Sequence, residues 1–248
     1  MNPLRNTGDV FSRGGNNEAR LRLFCLPYAG GGSHIFRDWG DRLSRVEVYP
    51  VELPGRASRI NEPPLRRMSN LVESVSMSVE RYIQQPLALF GHSMGAIISF
   101  ELAHRLQRLC HVQLTHLFVS GCRAPHVLGR QAPIHELPRS LFLAELRRIH
   151  GTPQQVLDDP ELMDLLIPTL RADFEASYMY MYYPRSPLRC PITALGGIHD
   201  LKVGLADLEA WREHTTSSFS LRMVPGDHFF IHSSQTLLVD ILDQELGV

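Results

Sequence analysis

The fold is decided by the stretch Leu87-Ala88-Leu89-Phe90-Gly91-His92-Ser93-Met94-Gly95. Its first four residues are apolar and predict a buried strand, and the amphipathic residues that follow predict a helix over Met94–Arg108. The pattern G-x-S-x-G between them is typical of a sharp turn that exposes a serine at the end of a strand. Glycine two positions before and after the serine removes any Cβ that would collide across this turn. We therefore predict that Ser93 is a nucleophile.

Two later residues supply the partners that a reactive serine requires. A serine hydroxyl becomes a good nucleophile when a base takes its proton and a carboxylate orients that base. Asp200 and His228 each come directly after a predicted strand, in the order acid and then histidine that this kind of serine site shows. An aspartate in such a place also caps turns, and Asp227 is an alternative partner for His228. We prefer Asp200, because the side chain of an adjacent residue rarely reaches its neighbour's ring nitrogen.

Apolar runs of strand length alternate with amphipathic segments of helix length on both sides of Ser93. This alternation predicts an α/β fold with a mostly parallel central sheet and helices on both faces. The predicted strands are Leu21–Leu26, Glu47–Leu53, Leu87–Phe90, Leu114–Ser120, Pro191–Leu195 and Phe219–Val224. The predicted helices of the core are Ser69–Gln84, Met94–Arg108, Leu205–His214 and Ser233–Leu246. Proline donates no ladder hydrogen bond, so Pro50 predicts an edge strand or a bulge.

The residues from about 123 to 187 interrupt this alternation. About sixty residues between two predicted strands are far more than an ordinary connection uses, so they predict an insertion. Within it, Leu141–Ile149 and Glu161–Tyr183 have helical patterns. The run Tyr178–Tyr183 consists of tyrosine and methionine, which adapt to irregular apolar shapes. This run either packs the insertion onto the core or lines a binding pocket.

Composition excludes several classes of protein. The 25 basic and 26 acidic residues give a net charge of −1, which argues against a dedicated nucleic-acid binder. Residues 1–20 are polar and contain no apolar stretch of signal or membrane length, so we expect a flexible leader and a cytoplasmic protein without membrane contact. The four cysteines are far apart, which predicts reduced thiols without a zinc site. They are Cys25, Cys110, Cys122 and Cys190.

Two further patterns have competing interpretations. His228 and His232 are four residues apart, as metal ligands on a helix are, but the motif H-E-x-x-H is absent and Phe229 and Phe230 lie between them. We therefore expect no metal and no cofactor. The glycine-rich segment Pro27–Gly32 follows the first strand and suits either an oxyanion or a phosphate. No Gly-Lys-Ser/Thr follows it, which favours the oxyanion.

With these residues in place, the chain resembles the α/β-hydrolase superfamily. More narrowly, it resembles the stand-alone type II thioesterases that accompany polyketide and nonribosomal peptide synthetases. The resemblance covers nearly the whole chain after the leader. It rests on Leu26–Gly31, on Glu52–Arg56 followed by Arg59 and Glu62–Pro64, on Gly91–Ala96, and on Pro168–Asp173 within the insertion. The segment Gly197–Lys202 departs from the family, which often has proline after the aspartate region.

The resemblance implies a role for each candidate residue. Ser93 is the nucleophile, His228 the base and then the acid, and Asp200 the residue that orients His228. The amides of Ala29 and Met94 form the oxyanion hole. Two tyrosines, Tyr28 and Tyr178, are candidates for contact with the substrate. The resemblance also implies a helical lid at about 123–187 within a hydrolase domain of residues 21–248.

The function implied is hydrolysis of acyl thioesters on the phosphopantetheine arm of an acyl carrier protein or peptidyl carrier protein. Family members remove aberrant acyl groups in this way, and we expect a monomer. Such partners are anionic, so arginines beside the lid are candidates for attracting them. These are Arg123, Arg130, Arg147 and Arg148. The alternatives are a thioesterase that releases medium-chain fatty acids from a fatty acid synthase, and an inactive hydrolase that serves as a binding protein.

Overall fold

Six parallel strands form one sheet in a computed structural model that describes residues 19–109, 112–129 and 132–247. The strands lie in the order β2-β1-β3-β4-β5-β6, and each of the five pairings is parallel. Their bounds are β1 Leu21–Leu26, β2 Val46–Pro50, β3 Leu87–His92, β4 Leu114–Ser120, β5 Ile192–Gly197 and β6 Phe219–Val224. The predicted α/β class is therefore confirmed. Most of the predicted leader, together with Cys110 and Arg130, lies outside the described residues.

The prediction from Pro50 is also confirmed. Strand β2 is at the edge of the sheet, and Pro50 is its last residue, opposite Cys25 of β1. After the proline the ladder continues for one more bond, from the amide of Val51 to the carbonyl of Cys25 at 2.9 Å. An edge strand has one free side, so proline costs no hydrogen bond there.

Helices cover both faces of the sheet. Their bounds are α1 Met68–Val79, α2 Met94–Gln107, α3 Arg139–Ile149, α4 Gln154–Leu157, α5 Pro160–Tyr178, α6 Leu205–Glu209, α7 Phe230–Ser233 and α8 Gln235–Leu246. Side chains along β3 alternate between two cores: Leu89 packs with α1, α2 and α6, and Phe90 packs with α8 and Trp39. The period-two alternation of a strand thus divides its apolar residues between the two faces.

Four predicted helices end or break differently from the expectation. The segment predicted as Ser69–Gln84 is α1 followed by a 3-10 helix over Glu80–Tyr82. The segment predicted as Leu205–His214 is α6 followed by a 3-10 helix over Ala210–His214, and the last helix is interrupted at Ser234 between α7 and α8. Helix α5 ends at Tyr178, five residues before the predicted end at Tyr183. The chain beyond it alternates, since Tyr180 and Tyr182 pack on the core and their neighbours are exposed. That alternation is an extended-chain signal, not a helical one.

The segment between β4 and β5 contains α3, α4 and α5. Its apolar side chains form a core of their own, separate from the two cores of the sheet. The buried members are Phe142, Leu146, Leu157, Met163 and Leu170. The guanidinium of Arg171 lies 4.5 Å from the ring centroid of Phe142 and donates to the carbonyls of His135 and Leu137. These contacts hold the three helices together as a unit over the sheet.

The cysteines and the helices concern two further expectations, reduced thiols and a chain without a membrane span. Cys25, Cys122 and Cys190 are free and buried, and burial raises the pKa of Cys122 and of Cys190 to about 12. These thiols are therefore protonated at neutral pH and are poor nucleophiles. Within the described part of the chain, no helix is both long enough and apolar enough to span a bilayer.

Candidate active site

Ser93 stands at the turn between β3 and α2. Its φ of +53° and ψ of −116° are unusual for a residue with a side chain, and its amide donates to the carbonyl of Ser120 at 2.8 Å. A Cβ on Gly91 would collide with the backbone of Gly95 across the turn, as the sequence predicted. A Cβ on Gly95 would instead collide with the carbonyls of Leu26 and Pro27, so this glycine lets α2 approach β1. Both glycines are thus required by backbone contacts.

The three predicted side chains meet at the carboxyl ends of their strands. His228 Nε2 lies 3.2 Å from Ser93 Oγ, and His228 Nδ1 lies 2.8 Å from Asp200 Oδ2. The Asp200 side chain is fully buried, and its other oxygen accepts the amides of Lys202 at 2.8 Å and Val203 at 3.2 Å. The arrangement is a chain of hydrogen bonds from a carboxylate through an imidazole to a hydroxyl, the geometry used to activate serine.

Asp200 is held as a carboxylate. Burial raises the pKa of Asp200, but the hydrogen bond and charge of His228 and the two backbone amides oppose it and leave that pKa below its ordinary value. Asp227 has a different partner, because its side chain accepts the amide of Phe229 at 2.8 Å. Of the two aspartates that the sequence offered, the structure therefore places Asp200 against the imidazole.

His232 contacts a tyrosine, not His228. Its Nε2 lies 2.8 Å from the hydroxyl of Tyr28, and burial lowers the pKa of His232. The described residues contain no group of three or more histidine, cysteine, aspartate or glutamate side chains suited to a metal ion.

His92 is a further residue of the site, and it contacts the backbone of His228 and the side chain of Ser120. Its Nε2 lies 2.9 Å from the carbonyl of His228, and its Nδ1 lies 2.9 Å from Ser120 Oγ. Because a carbonyl only accepts, Nε2 carries the proton and the hydroxyl of Ser120 donates to Nδ1. Burial, together with the charge of His228, lowers the pKa of His92 well below its usual value, so the ring stays neutral. The sequence feature that could have pointed to this role is the position of His92 inside the motif G-x-S-x-G, directly before the serine.

The segment after β1 faces the start of α2. Ala29 and Met94 line the same cavity as Ser93. Met94 is the first residue of α2, so its amide has no carbonyl partner within that helix. Hydrogen bonds hold the loop beside Ala29, among them those from the amide of Gly30 to Asp173 at 2.7 Å and from the amide of Gly31 to the carbonyl of Tyr28 at 2.9 Å. The geometry therefore supplies two candidate oxyanion donors.

The cavity that opens at Ser93 has a volume of about 410 Å³, within the range of small-molecule sites. One wall comes from the segment between β4 and β5, through residues of α3 and α5. Those residues are Leu146, Arg148 and Ile149 of α3, and Phe174 and Ser177 of α5. Tyr28 also lines the cavity, and burial raises the pKa of its hydroxyl to about 12. The lining is mainly apolar and suits an acyl chain.

The structure does not place Tyr178 on this cavity. Phe174 and Ser177 are the residues of α5 that line it. The ring of Tyr178 packs 5.2 Å from that of His135. Tyr180 lines the cavity instead and donates to Glu101 at 2.7 Å. The run of tyrosine and methionine therefore serves both purposes that the sequence left open.

The arginines beside the cavity already have carboxylate partners. Arg123 and Arg148 line the cavity, and they pair with Asp207 at 3.2 Å and Glu145 at 2.7 Å. The other described candidate, Arg147, pairs with Asp158 at 3.3 Å. Lys202, the single lysine of the chain, also lines the cavity. Three cationic side chains therefore line the cavity, and the two arginines among them are paired with carboxylates of this chain.

Known proteins share this fold and most of its length. The chain is 45% identical to the gramicidin S biosynthesis protein GrsT of Aneurinibacillus migulanus over 232 residues, which cover 93% of this chain and 91% of that protein. It matches the structure of the type II thioesterase BorB from the borrelidin biosynthetic cluster with a TM-score of 0.89 and 34% identity, covering 99% of this chain and 100% of that one. This match confirms the α/β-hydrolase fold.

A more distant relative is the medium-chain S-acyl fatty acid synthase thioesterase of Rattus norvegicus. It is 33% identical over 222 residues, which cover 87% of this chain and 83% of that protein. The model of the thioesterase domain family matches residues 21–246, from the first strand to the end of the last helix. The matched span includes every residue that the fold brings to Ser93, and the chain therefore belongs to the thioesterase domain family.

Proposed function

We propose that this thioesterase hydrolyses acyl thioesters on the phosphopantetheine arm of carrier proteins. The observation that carries the proposal is the hydrogen-bonded chain from Asp200 through His228 to Ser93, which opens onto an apolar cavity. An activated serine beside an acyl-sized cavity is suited to acyl transfer through a covalent intermediate.

The reaction has two steps. Ser93 Oγ attacks the thioester carbonyl while His228 Nε2 takes its proton, and the negative oxygen is stabilised by the amides of Ala29 and Met94. The C–S bond then breaks, and the thiol leaves with the proton held by His228. In the second step His228 takes a proton from water, the resulting hydroxide attacks the acyl-enzyme, and Ser93 regains its proton. Asp200 keeps the imidazole oriented and stabilises it when it is charged.

The names of two relatives support a biosynthetic carrier protein as the source of the acyl thioester. One belongs to gramicidin S biosynthesis, and one is a type II thioesterase of the borrelidin cluster. We propose the same setting here, in which the enzyme removes aberrant acyl groups from an acyl or peptidyl carrier protein. We also propose that the enzyme works as a monomer and that residues 123–187 form a lid on a single domain, because α3 and α5 supply one wall of the cavity.

A second candidate is release of medium-chain fatty acids from a fatty acid synthase. The observation in its favour is the likeness to the rat medium-chain thioesterase. The same triad serves both reactions, so the two differ only in chain length. Rates on a series of acyl carrier protein thioesters decide between them, because editing predicts fast hydrolysis of acetyl and propionyl groups, and fatty acid release predicts a maximum at medium length.

The test of the main proposal compares the wild-type protein with Ser93→Ala on acetyl and propionyl carrier protein. We expect the wild type to release the free acid and the variant to lose about 10⁴-fold or more of kcat, because the attacking oxygen is gone. Mass spectrometry of the carrier protein follows the loss of the acyl group. Equal rates for the two proteins would contradict the proposal.

A serine-directed fluorophosphonate separates the enzyme from an inactive binding protein. We expect one label per wild-type chain, located at Ser93, and no label on Ser93→Ala. If the folded wild type stays unlabelled, the hydroxyl is not activated and the protein acts by binding alone.

A further inference from the structure

We propose that Arg56 and Asp173 are a positioning pair that fixes the Ala29 amide in the oxyanion hole. The inference rests on the proposed function, since it assigns that amide to the oxyanion. Both side chains lie outside the lining of the Ser93 cavity, so they act through the loop and not on the substrate. We call residues Ala29 to Gly31 the oxyanion loop.

The pair holds the oxyanion loop from both sides of its backbone. Asp173 Oδ2 accepts the amide of Gly30 at 2.7 Å, and Arg56 Nη1 donates to the carbonyl of Gly31 at 2.9 Å. The two side chains also bind each other through two parallel bonds, Nη1 to Oδ2 at 2.9 Å and Nη2 to Oδ1 at 2.8 Å. Such a fork is planar and directional, so it fixes orientation as well as distance.

The oxyanion loop needs an external anchor because of its own sequence. Gly30 adopts a φ of +78°, and glycine-rich backbone has much conformational freedom to lose. An oxyanion donor stabilises the transition state only when it is already in place before charge develops. The N–H of Ala29 belongs to the Tyr28–Ala29 peptide, which is joined through Cα of Ala29 to the peptide that carries the N–H of Gly30. The bond from Gly30 to Asp173, together with the bond from the amide of Gly31 to the carbonyl of Tyr28, therefore restrains the position of the Ala29 amide.

A purely structural role would not call for two charges. Arg56 is 5% exposed and the Asp173 side chain is fully buried, and burying ions is expensive. Apolar side chains of similar volume are often as stabilising as a buried ion pair. What apolar side chains lack is an acceptor for the amide of Gly30 and a donor for the carbonyl of Gly31.

The pair also ties the oxyanion loop to the wall of the cavity. Asp173 belongs to α5, whose neighbouring residue Phe174 lines the cavity. Leu170 of the same helix packs so closely on Gly30 that a Cβ there would collide with it. Thr169 adds a bond to the carbonyl of Gly55 at 2.6 Å, next to Arg56. The oxyanion loop and α5 therefore keep a fixed relative position.

The experiment uses Asp173→Asn and Arg56→Lys with an acyl-N-acetylcysteamine thioester, and counts active sites by fluorophosphonate labelling. We expect kcat per active site to fall about 10- to 100-fold, less than direct loss of an oxyanion donor costs, while KM stays within about threefold. A rise in KM with kcat unchanged would overturn the proposal.

A tetrahedral inhibitor gives a readout that a merely structural role would not change. An alkyl boronic acid adds to Ser93 and places an oxygen in the oxyanion hole. We expect its inhibition constant to rise across the variants in proportion to the loss of kcat/KM, whereas an unreactive thioether analogue binds as it does to the wild type. An inhibition constant that stays at the wild-type value would contradict the proposal.

Loss of one partner leaves a buried charge, so the single variants are at risk of poor folding. The double variant Arg56→Met/Asp173→Leu removes both charges and restores apolar packing. We expect it to melt closer to the wild type than the single variants and still to be slow. If kcat returns together with stability, the pair is structural only. The matched control is Glu175→Gln, a change on the same helix as Asp173. It breaks the 2.7 Å ion pair between Glu175 and Arg66, and we expect it to leave kcat unchanged.

The small thioester separates this proposal from the proposed function. If the wild type hydrolyses acyl-N-acetylcysteamine but leaves acyl carrier protein intact, the carrier-protein function is wrong and the pair is still tested. If the variants match the wild type on the small thioester and in boronic acid binding, the pair is wrong and the function stands.

Discussion

At the scale of single residues, the site depends on which carboxylate holds His228. Asp200 lies 2.8 Å from His228 Nδ1, and two backbone amides hold its second oxygen. His92 binds the carbonyl of His228 from the other side, and it stays neutral because it is buried. The imidazole is thus fixed at its ring and at its backbone, which leaves Nε2 directed at Ser93.

The two aspartates near His228 give a direct test at this scale. We expect Asp200→Asn to lower kcat by about 10³- to 10⁴-fold, because an amide at this position favours the wrong imidazole tautomer. We expect Asp227→Asn to leave kcat near the wild-type value, since that side chain binds only the amide of Phe229. Steady-state kinetics with counted active sites measures both. Equal losses in the two variants would contradict the assignment.

At the scale of elements, the position of α2 against β1 depends on a single glycine. A Cβ on Gly95 would collide with the carbonyls of Leu26 and Pro27, so the first turn of α2 lies directly on the end of β1. That contact brings the amide of Met94 and the oxyanion loop to the same cavity. The second glycine of G-x-S-x-G therefore positions a helix, not only a turn.

Gly95→Ala tests this contact. Alanine usually stabilises a helix relative to glycine, but here we expect it to destabilise the fold by about 1–3 kcal/mol, because backbone must move to admit the methyl group. We also expect kcat to fall, since the amide of Met94 moves with α2. Urea denaturation and kinetics measure the two effects. The matched control is Gly40→Ala, where a Cβ meets nothing within 4 Å, and a control as unstable as Gly95→Ala would refute the reasoning.

Element types were easier to predict than element ends. The strand runs and the 3.6-residue periodicity of Ser69–Gln84 report burial directly, so β1 and the start of α1 appear where the sequence places them. The end of α1 at Val79 is five residues before the predicted end, because the chain tightens there into a 3-10 helix. The end of α5 was wrong by five residues, because Tyr178–Tyr183 is apolar throughout and hides the change to alternation. Whether a tyrosine there faces the cavity depends on that change, which explains the choice of Tyr178 where the structure has Tyr180.

At the scale of the whole molecule, three further histidines among the described residues are buried, besides His92 beside the active site. His104 is in α2, His116 in β4 and His214 in the 3-10 helix after α6. Burial lowers the pKa of His104 to about 3, and the pKa values of His116 and His214 to about 4. The unfolded chain binds protons at these residues near pH 6.5, whereas the folded chain does not.

We therefore expect the free energy of unfolding to fall as the pH decreases from about 6.5 to about 4. The sign follows because the unfolded state holds more protons in this window, so acid favours it. The slope is at most about 1.4 kcal/mol per pH unit for each histidine. Urea titrations at several pH values measure it. His116→Gln keeps a hydrogen-bonding side chain beside Thr193, whose hydroxyl lies 2.8 Å from His116 Nε2, but removes the titrating group, so we expect a shallower slope. An unchanged slope would contradict this origin.

The sequence by itself determined the fold class, an edge strand or a bulge at Pro50, the turn at Ser93 and the candidate partners Asp200 and His228. These depend on local patterns, namely burial periodicity, missing donors and residues that follow strands. Only the tertiary structure decided that His228 faces Asp200 and not Asp227, that Tyr180 and not Tyr178 lines the cavity, and that Arg56 and Asp173 meet on the oxyanion loop. Residues 117 positions apart come together only when the sheet and α5 are packed, and a one-dimensional pattern does not encode that distance.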